Sequence, residues 1–439
     1  MCRISILTYA GQRRPTLFHP TQLEGYLFMT VFSVPARLFG CLCTAAALAF
    51  VSAGCANKTS STVNGISSGG GAPAAGSIMI GEYGSLTGDK STFGHSTDNG
   101  VELAVKGINA AGGVNGHPLA VDVQDDAGTP DGASSVVKKI ITSDKPTAVI
   151  GEVASTLSIQ AAPVCNAAKV PMISPSSTNP KVTQLGPYVF RVCFIDPFQG
   201  TAAAKFALGT LHAKKAAILT DAGNDYSIGL TKFFTQSFTQ GGGQVVLSQN
   251  YGKDDVDFTS QLTQIKADAP DVLYVPGYYG QVGPIAKQAR KVGLMVPLLG
   301  GDGWDSPKLV EGAGGPGQAL EGSYFTNHSS MSNPDPTIQK FVSAYKTAYG
   351  GQQPDSLAAL GYDSIGVLTD AIKRAGAPAD GDYASLAYHA KLRDAIAATK
   401  GYKGITGTIT IGPDRDAVKP AVVLQIHGAD YKYVSTVNP

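Results

Sequence analysis

Charge is scarce in this sequence. Asp, Glu, Lys and Arg make up 15% of its 439 residues, and the formal net charge at pH 7 is +1. A chain so near neutrality lacks the basic field of a nucleic-acid binder and that of a protein held to membranes by charge. Usable cysteine is also scarce. Of six in all, Cys2, Cys41, Cys43 and Cys55 crowd the start, which leaves Cys165 and Cys193 for everything after. That excludes a four-cysteine zinc site and a disulfide-dense scaffold from the body of the chain. The phosphate loop, HExxH, nucleophile elbow and Cys-x-x-Cys are all missing. The glycine-rich run 112–116 lies between a helix and a strand, so it reads as a turn rather than a dinucleotide fingerprint. Asp254, Asp255 and Asp257 lack the central Gly and terminal Glu of a calcium loop and read as the turn before a helix. The histidines are scattered. No catalytic constellation, cofactor or metal is expected.

What is present begins with a leader. Arg37 precedes an apolar run over 38–51, and Ser52, Ala53 and Gly54 then lead to Cys55. This is the layout of a secretory signal, and the run is shorter than the ~20 residues that span a bilayer. We expect 1–54 to be signal or leader, with Met29 as the true start or, alternatively, with an unusually long charged n-region. Ala53-Gly54-Cys55 resembles a bacterial lipoprotein box, with Ser52 where an aliphatic residue is usual. Lipidation of Cys55 is expected; an ordinary cleaved signal is the alternative. Residues 55–76 are nearly all small and polar and read as a flexible linker. Cys165 and Cys193 could form a disulfide outside the cytoplasm; two buried free thiols are the other reading.

Beyond residue 77 strands alternate with helices. Strand-like runs fall at 77–81, 119–123, 147–150 and 170–173, with helical spacing at 99–109, 133–142 and 159–168. The rhythm restarts after 188–192, with strands at 215–219, 244–247, 271–275 and 297–300. Helices are expected at 202–211, 229–240, 259–267, 281–292, 337–349 and 357–375, and a closing hairpin-like pair at 407–411 and 421–426. The alternation predicts an α/β fold of two lobes with parallel sheets. Small ligands bind such sheets at the carboxyl ends of the strands, here across a cleft.

Several segments then stand in a recognisable order: Gly84-Ser-Leu-Thr-Gly88 with Phe93-Gly94, the turn 112–116, Val170-Pro-Met-Ile-Ser-Pro175 with Thr178-Asn-Pro180, and Phe190-Arg-Val192 with Phe198-Gln-Gly200. Asp225-Tyr226 with Gly229, Gly277-Tyr-Tyr279 and Gly300-Gly-Asp-Gly303 continue the series. Together they resemble the substrate-binding proteins of branched-chain amino acid ABC transporters, of the leucine/isoleucine/valine-binding type, over nearly all of 77–430. The resemblance implies a type I periplasmic-binding-protein fold, two Rossmann-like lobes joined by three hinge crossings, and no catalysis. The crossings are expected near 195–198, 323–328 and 400–407. One lobe would be 77–196 plus about 326–403, the other 197–325 plus about 404–439. Hinge closure around a ligand is a known property of periplasmic binding proteins and comes with the resemblance, not from the residues themselves.

By that resemblance Ser155, Ser176 and Thr178 hold a ligand carboxylate. This agrees with the anion preference of helix starts, although the same hydroxyls could only cap turns. Asp302 would pair with a ligand ammonium from the opposite lobe, while Tyr226, Tyr278 and Phe93 wall the ligand. Tyr279, Trp304 and Gln281 are further candidates, and packing alone is the alternative for the tyrosines. The expected ligand is a small amino acid, with amides and other small carboxylates as alternatives. The expected partner is a transporter permease, and the expected location is extracytoplasmic, lipid-anchored at the membrane. A sensory receptor of the same fold is the competing reading; an enzyme has no motif in its favour.

Overall fold

The computed structural model describes residues 76–439. The leader, Cys55 and the linker before Gly76 lie outside the described residues. No helix among the described residues is long and apolar enough to cross a membrane.

The first sheet contains β1 (Ile78–Gly84), β2 (Leu119–Asp125), β3 (Ala148–Ile150), β4 (Met172–Ser174) and β5 (Val189–Arg191). They are all parallel, in the order β2-β1-β3-β4-β5. β3 and β4 are buried at every position, as strands covered on both faces must be. The intervening helices are α1 (Ser91–Ala110), α2 (Pro130–Ser143), α3 (Ser155–Ala168) and the short α4 (Lys181–Gln184). Their starts follow local chemistry. Thr129 caps α2 by accepting from Gly132 N at 3.1 Å, and Pro130 takes the position where no N–H is needed.

After α5 (Asp196–Gly209) the pattern repeats with β6 (Lys215–Asp221), β7 (Gln244–Tyr251), β8 (Val272–Tyr274), β9 (Leu298–Gly300) and β10 (Tyr324–Asn327). The order β7-β6-β8-β9-β10 duplicates that of the first sheet. Helices α6 (Asp225–Gln240), α7 (Thr259–Ala267), α8 (Tyr279–Lys291) and α9 (Pro307–Gly312) connect these strands. Phe234 anchors the core here, stacked on Tyr274 at 4.0 Å and on Phe238 at 5.3 Å.

The chain then returns to the first lobe with α10 (Pro336–Ala348), α11 (Ser356–Ala375) and α12 (Leu386–Ala397). α1 and α11 cross closely because each offers a glycine. A Cβ at Gly100 would stand 1.9 Å from Ala358 O, and one at Gly361 would stand 2.4 Å from Thr97 O. Next come β11 (Tyr402–Gly404), β12 (Gly407–Ile411) and β13 (Ala417–Val418), which form a small sheet of their own. β14 (Ala421–His427) and β15 (Asp430–Val437) extend the second sheet antiparallel to β10.

Two expectations need correction. The strands at 407–411 and 421–426 do not pair. β12 bonds β11 and β13, whereas β14 finds β10 and β15, whose edges offer longer ladders. Sheet membership also moves the connections. β10 keeps 324–327 in the second sheet, so the return falls at 328–335. β11 and β12 stay beside α11, tied by Asp363, which accepts from Ile405 N at 2.7 Å and Thr406 N at 2.9 Å. β13 pairs with β12, so the last connection is 419–420 rather than 400–407.

Candidate functional site

The duplicated strand order places both switch points, beside β1 and beside β6, at the carboxyl ends of parallel strands. The loops leaving those ends carry most of the candidate residues. From the first lobe come Phe93 in α1, Ser155 opening α3, and Ser176 and Thr178 after β4. From the second come Tyr226 in α6, Tyr278 and Tyr279 at the start of α8, and Asp302 after β9.

The two walls meet. Phe93 sets its edge against Tyr279 at 4.8 Å and Tyr278 at 6.0 Å. Thr92 Oγ1 donates to Tyr279 Oη at 2.7 Å. Tyr278 stacks on Tyr226 at 5.0 Å, and Lys90 Nζ sits 5.2 Å from the Tyr278 ring.

Asp302 is buried and forms the hub of the second wall. Tyr226 Oη donates to Oδ1 at 2.8 Å and Gln199 Nε2 to the same atom at 2.7 Å; His328 Nε2 lies 3.0 Å from Oδ2. Gly303 N in turn donates to Tyr226 Oη at 3.0 Å, which fixes that hydroxyl. Burial holds the His328 imidazole below its ordinary range even though Asp302 beside it pulls the other way. The ring is therefore neutral at pH 7 and donates its Nε2 hydrogen. Burial, then Asp302, pushes Tyr226 well above the usual tyrosine range, so it too stays neutral. An ionised carboxylate has about four acceptor positions. Three are filled by neutral donors and one on Oδ2 remains. Among the described residues, no Lys or Arg forms an ion pair with Asp302.

On the first wall Thr178 Oγ1 is buried and faces the buried Asp196 carboxyl. Ser155 Oγ accepts from Asn179 N at 3.2 Å, and Ser176 Oγ is 3.4 Å from Val153 O. α3 begins at Ala154 with no side-chain cap, so its first N–H groups face the cleft uncapped by a side chain. The loop bearing Ser176 and Thr178 is held from below by Arg191, a fully buried guanidinium. It donates to Ser177 O, to Asn179 O at 2.9 Å and to Thr183 Oγ1 at 3.1 Å, and pairs with Asp416 at 2.7 Å.

Three candidates stand apart. Trp304 is fully enclosed, spending its N–H on Val275 O at 3.0 Å and packing under Gly300. Gln281 turns to the rim, where its amide reaches Lys253 O at 3.2 Å. Cys165 and Cys193 are both buried and free, so the disulfide is not formed.

Sequence reasoning missed Gln199, His328, Arg191 and Glu152. Gln199 and Arg191 stood within quoted segments but carried no chemical signal alone. Glu152 is buried beside the first wall. Ser85 N donates to its Oε1 at 3.1 Å, and Ala154 N donates to Oε2. Burial, then the nearby Asp126, pushes it up to about 8.

The comparisons agree with this geometry. The family model described as "Periplasmic binding protein" matches residues 77–431. The leucine binding protein LivK of Thermotoga maritima is 37% identical, covering 82% of this chain and 99% of its own, with a TM-score of 0.75. LivJ of Streptococcus pneumoniae, a branched-chain amino acid transporter substrate binding protein solved with isoleucine, is 31% identical over 83% of this chain and 100% of its own, TM-score 0.76. A solute binding protein of an ABC transporter from R. palustris, solved with benzoate, is 26% identical over 83% and 97%, TM-score 0.72. With its duplicated parallel sheets and facing strand-end loops, the chain belongs to the periplasmic binding proteins of the branched-chain amino acid transporter type, which are binding proteins and not enzymes.

Proposed function

We propose that this chain is an extracytoplasmic receptor that delivers a small α-amino acid to an ABC importer, binding it by closure of the two lobes. The observation that carries the ligand class is Asp302: a buried carboxylate with three neutral donors, one open acceptor position and, among the described residues, no cation paired with it. A buried charge left without a counterion costs several kcal/mol, and a ligand ammonium supplies that counterion. The single open position favours a primary amine with an N–H to give over a quaternary ammonium. At the other end, the start of α3, which no side chain caps, suits a carboxylate, with the Thr178 hydroxyl nearby. Ser155 and Ser176 flank them, with Phe93, Tyr226, Tyr278 and Tyr279 as the walls.

In this reading the connections at 192–195, between β5 and α5, at 328–335 and at 419–420 act as the hinge, the permease receives the closed form, and Cys55 carries a lipid that tethers the lobes through the linker. A second reading, a small carboxylic acid without an amine, draws support from the benzoate-bound neighbour. Asp302→Ala separates the two when titrated by calorimetry with the best-binding amino acid and with the same acid lacking its amine. The amino acid is expected to lose at least a hundredfold in affinity and the amine-free acid little. Equal loss for both, or none for the amino acid, overturns the ammonium role.

A further inference from the structure

One residue of the second lobe reaches the first lobe more heavily than any ligand candidate does. Asp225 opens α6, just after Asn224, which caps that helix by accepting from Ser227 N at 2.7 Å. The Asp225 backbone N–H donates to Thr156 Oγ1 at 3.0 Å, and that hydroxyl lies 3.3 Å from Asp225 Oδ2. The Asp225 carbonyl accepts from Asn179 Nδ2 at 2.7 Å, and Oδ1 pairs with Lys181 Nζ at 2.7 Å. Three first-lobe residues thus converge on one second-lobe residue.

The sequence neighbours matter. Thr156 follows Ser155, Asn179 follows Thr178, and Asp225 precedes Tyr226. Thr156, Asn179 and Asp225 each adjoin a residue placed at the ligand, so drawing Asp225 home also brings the two walls of the site into register. Asn179 couples the pieces further. Its N–H donates to Ser155 Oγ at 3.2 Å and its Oδ1 accepts from Lys181 N at 3.0 Å.

We propose that Asp225 is the clasp of the closed form, a positioning residue that sets how long the ligand stays. The proposal rests on the reading that ligand is held between the lobes. The clasp contacts exist only with the lobes together, so they favour the closed state by differential interaction, and the apparent affinity follows the closed fraction. Ligand enters before the clasp forms and leaves after it breaks. The clasp therefore acts on the dissociation rate and leaves the association rate alone. The pair is partly solvated, with Lys181 63% and Asp225 28% exposed in their side chains. Lys181→Met is accordingly expected to speed dissociation about twofold to threefold. Asp225→Ala, which also removes the carboxylate facing Thr156, is expected to speed it roughly tenfold.

The test uses the full chain, with L-leucine as probe. Trp304, the only tryptophan in the sequence, reports binding by stopped-flow fluorescence. The expected result is a raised dissociation rate constant in both variants and an unchanged association rate constant. An unchanged dissociation rate constant, or a loss confined to association, overturns the clasp. A second readout needs no ligand. The Asp225 amide begins a helix and has Thr156 Oγ1 as its partner across the cleft, so its hydrogen exchange reports the clasp directly. In protein without added ligand, exchange in a peptide spanning 222–228 is expected to be faster in Lys181→Met than in the parent. Identical exchange overturns the clasp. If L-leucine and the other amino acids fail to bind the parent, the ligand reading falls, and the exchange comparison alone decides the clasp.

Discussion

Glu152→Gln should flatten the pH dependence of stability. Ser85 Oγ lies 3.0 Å from Glu152 Oε1 and 3.0 Å from Asp126 Oδ1. One hydroxyl hydrogen cannot serve two carboxylates, so one of the acids must bring a proton of its own. Burial, followed by the Asp126 charge, pushes Glu152 from 4.5 up to about 8. The sign follows from linkage. Between those values the unfolded chain has released the proton and the folded chain still holds it, so stability falls as pH rises. The contribution of Glu152 is fully present below about 4.5 and is lost as pH climbs through about 8. The slope approaches about −1.4 kcal/mol per pH unit at its steepest, and the whole window is worth a few kcal/mol. Glutamine cannot titrate but can still donate to Ser85 or Asp126. It faces the Ala154 N–H with a less suitable group, so at the acid end of the range the variant is about 1–3 kcal/mol less stable than the parent. The assay is urea unfolding at half-unit steps from about pH 5 to about pH 9, with free energies taken from midpoints and slopes. Other buried acids, Asp196 at about 8 and Asp355 at about 7, bend both curves the same way. The difference between the curves isolates Glu152: the gap should narrow as pH rises. Parallel curves would show that Glu152 does not hold the shared proton.

Two further outcomes follow from packing. Cys165 and Cys193 are enclosed, and burial pushes both thiols up to about 12, so neither should react with iodoacetamide near neutral pH in the folded protein; both should react in denaturant without reductant, and rapid native labelling would refute their burial. Gly300→Ala would set a Cβ 2.0 Å from Trp304 Cε2, so a loss of about 1–3 kcal/mol or more in urea unfolding is expected, with a shifted tryptophan emission; wild-type stability would contradict the close packing of β9 on that ring.

Much of the architecture is legible in the sequence because parallel strands buried on both faces are written as short apolar runs. Ala148-Val-Ile150 and Leu298-Leu-Gly300 announce themselves this way. β10 does not, because Tyr324-Phe-Thr-Asn327 carries polar groups that serve its neighbours. Thr326 Oγ1 accepts from Gln199 at 3.0 Å, and Asn327 Nδ2 donates to Asp305 at 2.8 Å. α12 is harder to read from sequence since Tyr388 and His389 share its buried face with only two aliphatic residues, Leu392 and Ile396. The site divides in the same way. Residues 155, 178, 226, 278 and 302 are placed by the resemblance to the family, and the strand ends ahead of 155, 178 and 302 agree with it. Two partners of Asp302 cannot be placed this way, since Gln199 and His328 come from separate elements that only the folded chain brings to one carboxylate. The sequence leads one to expect an ammonium partner at Asp302. The hub of neutral donors that leaves one acceptor position there is a property of the fold.

The central claim is tested most directly by a thermal-shift screen of the protein against the L-amino acids, each paired with the same acid lacking its amine. A ligand that binds only the folded chain must raise the melting temperature. The account expects one or more small amino acids to raise it by several degrees and their amine-free partners to do so far less. A rise produced by the amine-free acids, with none from any amino acid, would contradict it.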